Sequence, residues 1–104
     1  MTRQFDVVPN PDAEDAAHRP FLVVLQSDLV SGLHSAIVAP LIPRGTFSGA
    51  TRLNPILAVD GRDFWLATHE LFAVDRRLLR QAVASVSAHR DAIIAAIDFV
   101  FTGF

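Results

Sequence analysis

The chain has 104 residues and a net charge of −2 with histidine neutral; 51% of it is hydrophobic and only 19% charged. It contains no cysteine, and every basic residue is an arginine. That excludes a disulfide framework, thiolate metal sites, a cysteine nucleophile, a Schiff-base lysine and a Walker-type phosphate lysine, and the charge balance gives no general footprint for a phosphate backbone.

In chain order, residues 3–8 alternate weakly and read as a first short strand. Residues 10–17 form a polar, acidic loop with Asp12, Glu14 and Asp15. Residues 21–25 are continuously apolar and β-branched, the pattern of a strand buried on both faces. Residues 26–34 connect it to a third strand at 36–42, ended by Pro43. Residues 44–54 are a turn-rich loop with Gly45 and Gly49. Residues 56–59 and 64–68 flank Asp60-Gly61, a hairpin signal because both central positions of a type I′ turn need positive φ.

Residues 75–86 carry helical spacing at Leu78, Leu79, Ala82, Val83 and Val86, with Asp75 able to cap, and taken alone predict a helix. Ile93, Ile97, Val100 and Phe101 then fall on one helical stripe, with Ser87 as N-cap and Asp91 in the first turn. Asp91, Ala95, Asp98 and Thr102 project from the opposite face. Phe99 belongs to neither and gives the helix a second apolar face.

The mean hydropathy is +0.35, and a domain of this size buries only about 60–70% of what its unfolded chain exposes. Apolar surface is therefore left over. The longest run without formal charge, 29–43, has 15 residues and includes Gly32, His34, Pro40 and Pro43; a bilayer span takes roughly 20. The opening residues carry Asp6, Asp12, Glu14 and Asp15 rather than an apolar leader core. The expectation is a cytoplasmic chain forming one domain over 1–104, with its surplus turned toward a protein partner, most simply a second copy. The exposed cluster is expected at Leu29, Val30 and residues 99–104.

No catalytic constellation emerges. His69-Glu70 would need a second histidine where Ala73 stands to open a zinc-protease helix, and His18, His34 and His89 show no ligand spacing, so no metal and no cofactor are expected. Ser27-Asp28 near His34 lacks a nucleophile-elbow glycine pattern and reads as local bonding at a strand end. Residues 45–49 lack the following Lys-Ser/Thr of a phosphate loop. Asp75-Arg76-Arg77 with Arg80 is the one local concentration of base and a modest anion site at best.

The run Phe21-Leu-Val-Val-Leu-Gln-Ser-Asp-Leu-Val30, then Ile37-Val-Ala-Pro-Leu41 and Leu53-Asn-Pro-Ile-Leu, resembles the CcdB family of toxin proteins. So do Asp60-Gly61 with Trp65 and the closing stretch from Ser87 to Phe104. The resemblance spans almost the whole chain. It implies a mainly β fold, a small SH3-like barrel of the CcdB/MazF type with one C-terminal helix, forming a homodimer. It also implies the toxin of a toxin–antitoxin pair: a gyrase inhibitor that binds the DNA gyrase A subunit, traps its cleaved DNA complex and is neutralised by a cognate antitoxin. Such a protein is not an enzyme.

Carried over residue by residue, target binding falls on Leu29, Val30, Asp98, Phe101, Thr102, Gly103 and Phe104. Thr102 stands where the family's best-known ending has a tryptophan, and a threonine has no π face for a cation–π stack. By the same resemblance, residues 75–86 begin as a strand before turning into the helix, and the antitoxin meets the early loop and the 44–54 loop. Two other functions fit the same fold: an interaction module that has lost or changed its gyrase target, and a MazF-like ribonuclease using Asp75, Arg76 and Arg77.

Overall fold

The computed structural model describes residues 2–45 and 49–103. In chain order its elements are β1 (Asp6–Pro9), β2 (Phe21–Val24), β3 (Ser35–Pro43), β4 (Ile56–Val59), β5 (Arg62–Leu66), β6 (Phe72–Asp75), β7 (Ala84–Ser85) and α1 (Arg90–Thr102), with short 3-10 turns between several of them. The strands run β4-β5-β3-β2-β1-β7, and β6 also pairs with β3.

The nine residues of β3 organise this order. One edge pairs with β2 through residues 38–41; the other is shared, residues 41–43 pairing with β5 and 35–38 with β6. A 3-10 turn at Thr68–Glu70 carries the chain from β5 to β6. All pairings are antiparallel, and the sheet curls into a nearly closed barrel with one C-terminal helix. The hairpin forms where the sequence places it: Asp60 and Gly61 have φ of 51° and 78°, as a type I′ turn requires.

The middle of β1, β2 and β3 is apolar on both faces because both are covered there. Val23, Ala39, Leu41, Phe64, Leu66 and Ile93 belong to a core closed by α1, whereas Val8, Leu22, Val24 and Val38 form a second cluster. Val74, Leu79 and Ala82 pack onto the second cluster. This explains why residues 75–86 are not a helix. After β6 the chain makes one 3-10 turn at Arg76–Leu78, in which the Asp75 side chain accepts from the Arg77 N–H at 2.9 Å. It then runs extended, and the two residues of β7 pair with β1. Asp75 caps as expected, but only a single turn. A continuous helix would give up Val83 N–H to Val7 O, at 2.8 Å, and Val86 N–H to Phe5 O, at 2.9 Å.

Two further expectations shift. β1 starts at Asp6 because Phe5, buried at 4% exposure, adopts a left-handed φ of 69°. Ser87 does not cap α1: it lies in a 3-10 turn, Ser87–His89, its hydroxyl accepting from Ser85 Oγ, and the helix starts at Arg90. Ile93 and Ala96 are fully buried, but Phe101 is 69% exposed, so the apolar stripe outruns the sheet it packs on.

Arg19 ties the segment before β2 to the turn after β5. Its guanidinium donates to Glu70 at 2.8 and 3.1 Å and to Asp15 at 3.1 Å. The Arg19 hydrogen bonds hold the Glu70 carboxyl below its ordinary 4.5, with burial opposing. A depressed carboxylate contributes stability above its unfolded value and loses it on acidification. Glu70→Gln should therefore destabilise by about 1 kcal/mol at pH 7, and the gap from the parent should close as pH falls below 4.5, as followed by urea titration at several pH values.

Candidate target-binding surface

The loop between β2 and β3 is built by the side chains of Gln26, Ser27 and Asp28. Gln26 Nε2 donates to Val30 O at 3.1 Å and Ser35 O at 3.2 Å, while its Oε1 accepts from the Ile37 N–H at 3.1 Å. One amide side chain thus spans both ends of the loop. Ser27 Oγ accepts from the Leu29 N–H at 3.1 Å and caps a 3-10 turn at Asp28–Val30. Asp28 Oδ1 accepts from the Gln4 N–H at 2.8 Å, anchoring the turn to the start of the chain. With the polar groups turned inward, the aliphatic pair faces water: Leu29 is 95% exposed and Val30 45%. These bonds also account for Ser27 and Asp28 without hydrolytic chemistry.

At the other end of the chain α1 stops at Gly103, whose left-handed φ of 77° lets its N–H reach Phe99 O at 3.0 Å. Thr102 Oγ1 donates to Asp98 O at 2.7 Å, so its donor is spent within the helix. Asp98, Phe101, Thr102 and Gly103 are all exposed. Phe104 lies outside the described residues.

The two ends meet. Leu25, Gln26, Ile37, Leu71, Ile97 and Phe101 line one apolar pocket of about 180 Å³. The residue that clamps the Leu29–Val30 turn therefore shares a wall with the exposed end of the helix. Ile37 and Leu71 were not singled out as site residues in the sequence. The sequence carries no signal for Ile37, which shares parity in β3 with the core residues Ala39 and Leu41 yet is 41% exposed. Leu71 carries none either.

Phe99 leaves the exposed cluster. The Arg52 guanidinium sits 4.5 Å from its ring centroid, and the residue is part-buried. The apolar surplus is instead spread more widely, over Leu33, Phe72, Leu78 and Val83 as well as Leu29, Ile37 and Phe101. Among the described residues no cluster of three or more histidine or carboxylate side chains could hold a metal, and no helix is long and apolar enough to cross a membrane.

The sequence of this barrel is matched by the family profile described as CcdB protein, over residues 4–103. The chain belongs to the CcdB family. A solved structure, the Mycobacterium tuberculosis toxin MazF-mt6, superposes with a TM-score of 0.65 at 18% identity, covering 95% of this chain and 96% of that one. That likeness establishes the shared barrel. A search of the curated proteins finds no match.

The clamp and the projecting pair separate by substitution. Gln26→Ala should cost about 1–2 kcal/mol and speed hydrogen exchange at the Ile37 amide, whereas Leu29→Ala should leave stability within about 0.5 kcal/mol.

Proposed function

We propose that this CcdB-family protein is the toxin of a toxin–antitoxin pair: a cytoplasmic homodimer, folded as one domain over 1–104, that binds the DNA gyrase A subunit and traps its cleaved DNA complex until a cognate antitoxin removes it. It acts as an inhibitor rather than as an enzyme. The observation that carries this reading is that Leu29 and Phe101 are 95% and 69% exposed, while Gln26, which clamps the Leu29 turn, lines one pocket together with Phe101. With the backbone of the Leu29 turn fixed by internal hydrogen bonds, a partner that covers it has only the side chains left to order.

Leu29, Val30, Asp98, Phe101, Thr102, Gly103 and Phe104 form the proposed contact. Two copies across a two-fold axis would offer two such surfaces to a symmetric target. Thr102, its hydroxyl bonded to Asp98 O, contributes shape rather than the aromatic stack that a tryptophan would make; Phe101 and Phe104 are the aromatic groups on either side of it.

The ribonuclease reading needs a base near neutral pH, and Asp75 is poorly suited. Its two oxygens receive the Arg77 guanidinium at 2.8 and 3.2 Å, and these bonds, with that from the Arg77 N–H, push its pKa down to about 2. An interaction module without a gyrase effect remains the competing outcome, and one experiment divides the two. Expression of the protein should arrest growth, and the purified protein should sediment at twice 11.3 kDa, bind the cognate gyrase A subunit and block supercoiling. Leu29→Ala and Phe101→Ala should each weaken that binding by about 2 kcal/mol, and Thr102→Trp should strengthen it. A dimer that neither binds gyrase nor slows growth would establish the non-toxic module instead.

A further inference from the structure

We infer that Arg52, on the loop between β3 and β4, is a positioning residue for the exposed end of α1: it holds the last helical turn in the pose that a target meets. The role assigned to Arg52 rests on the reading of that end as the gyrase contact, although Arg52 is not itself among the contact residues.

The helix is held unevenly along its length. Ile93 and Ala96 are buried, and Ile94 and Ile97 pack against the core, but Asp98, Phe101, Thr102 and Gly103 are exposed. Thr102 Oγ1 and the Gly103 N–H bond back to Asp98 O and Phe99 O, within the same helix. The last turn carries no basic side chain of its own to meet the C-terminal carbonyls. It is held from outside on two sides. Ile97 and Phe101 line a pocket with Ile37 and Leu71, and the Arg52 guanidinium lies 4.5 Å from the centroid of the Phe99 ring.

Arg52 can act as a brace because its loop is fixed at both flanks. The buried Asn54 side chain accepts from the Ala50 N–H at 3.2 Å and donates to Leu66 O at 3.0 Å, and the Asn54 N–H donates to Ala50 O at 2.7 Å. Gly49 lies so close to the barrel wall that a Cβ there would come within 2.6 Å of the Trp65 ring. Between these anchors, the Arg52 guanidinium makes no ion pair and no hydrogen bond among the described residues, so its charge is committed to the ring. A guanidinium over an aromatic face is attracted by the ring quadrupole. The same cation stands beside the C-terminal turn of α1, where the helix dipole also favours it. Both attractions act on the turn that carries Phe101.

The test compares the full-length protein with Arg52→Gln, Arg52→Lys, Phe99→Leu and the double variant Arg52→Gln/Phe99→Leu. In the parent, the Arg52 Hε signal should show the upfield shift of a proton held over a ring, and lose it in Phe99→Leu. Arg52→Gln should speed amide exchange at Gly103 about fivefold and leave Ala96, in the buried part of the helix, as in the parent. Arg52→Lys should restore part of the protection. Affinity for the cognate gyrase A subunit should fall by a similar factor in Arg52→Gln, and the double variant should bind no more weakly than Phe99→Leu alone. Unchanged exchange at Gly103 in Arg52→Gln would overturn the brace, whatever gyrase binding does. Losses of affinity that add in the double variant would overturn it in favour of a direct contact between Arg52 and the target. Faster exchange at Gly103 in a protein whose parent does not bind gyrase would uphold the brace and remove the gyrase reading alone.

Discussion

The length of β3 is the constraint on which the rest depends. Nine residues are too many for one partner on the far edge when β5 supplies only the register of residues 41–43, so β6 must take residues 35–38. That division forces the chain to turn at Thr68–Glu70 and the sheet to curl, and it places Ile37 and Leu71 at the barrel rim beneath the end of α1. The Arg19–Glu70 ion pair then ties this turn to the segment leading into β2. The candidate surface is therefore a consequence of how the barrel closes, with few residues devoted to it alone.

A second principle runs through the molecule: polar side chains are spent on shaping loops, and apolar ones are left facing outward. Gln26 closes its loop with three hydrogen bonds. Asn54, buried at 2% exposure, does the same at the base of the β4–β5 hairpin, donating to Leu66 O at 3.0 Å and accepting from the Ala50 N–H at 3.2 Å. These amides rigidify short connections in a protein whose barrel is small, and rigidity is what an inhibitory surface needs, since a partner then pays less ordering entropy on binding.

The first five strands, the two-faced burial of β2 and the type I′ hairpin were legible in the sequence because each is local: run length, β-branching and the Asp-Gly turn act over a few residues. β6, β7 and the order of strands in the sheet were not. Neither was the path of residues 75–86. Leu79, Ala82 and Val86 have helical spacing, but the extended chain also buries Val86 and half-buries Leu79 and Ala82, and the backbone groups at 83 and 86 find partners on residues 7 and 5. Long-range pairing overrides a local periodicity that two conformations can satisfy. The reading by family resemblance, a strand turning into the helix, also departs from the structure: within 75–86 only Asp75 belongs to β6, and α1 begins at Arg90.

The sequence by itself determined the apolar surplus, the absence of cysteine and lysine chemistry, and the motif Gln26-Ser27-Asp28 ahead of an aliphatic pair. Only the tertiary structure decided where the surplus goes. Phe99, which reads as exposed, is covered by Arg52, while Ile37, which reads as an ordinary strand residue, opens onto the pocket beside Phe101. The physical reason is the same in both cases: exposure is set by what lies across from a side chain, and a partner distant along the chain leaves no mark on the residues around it.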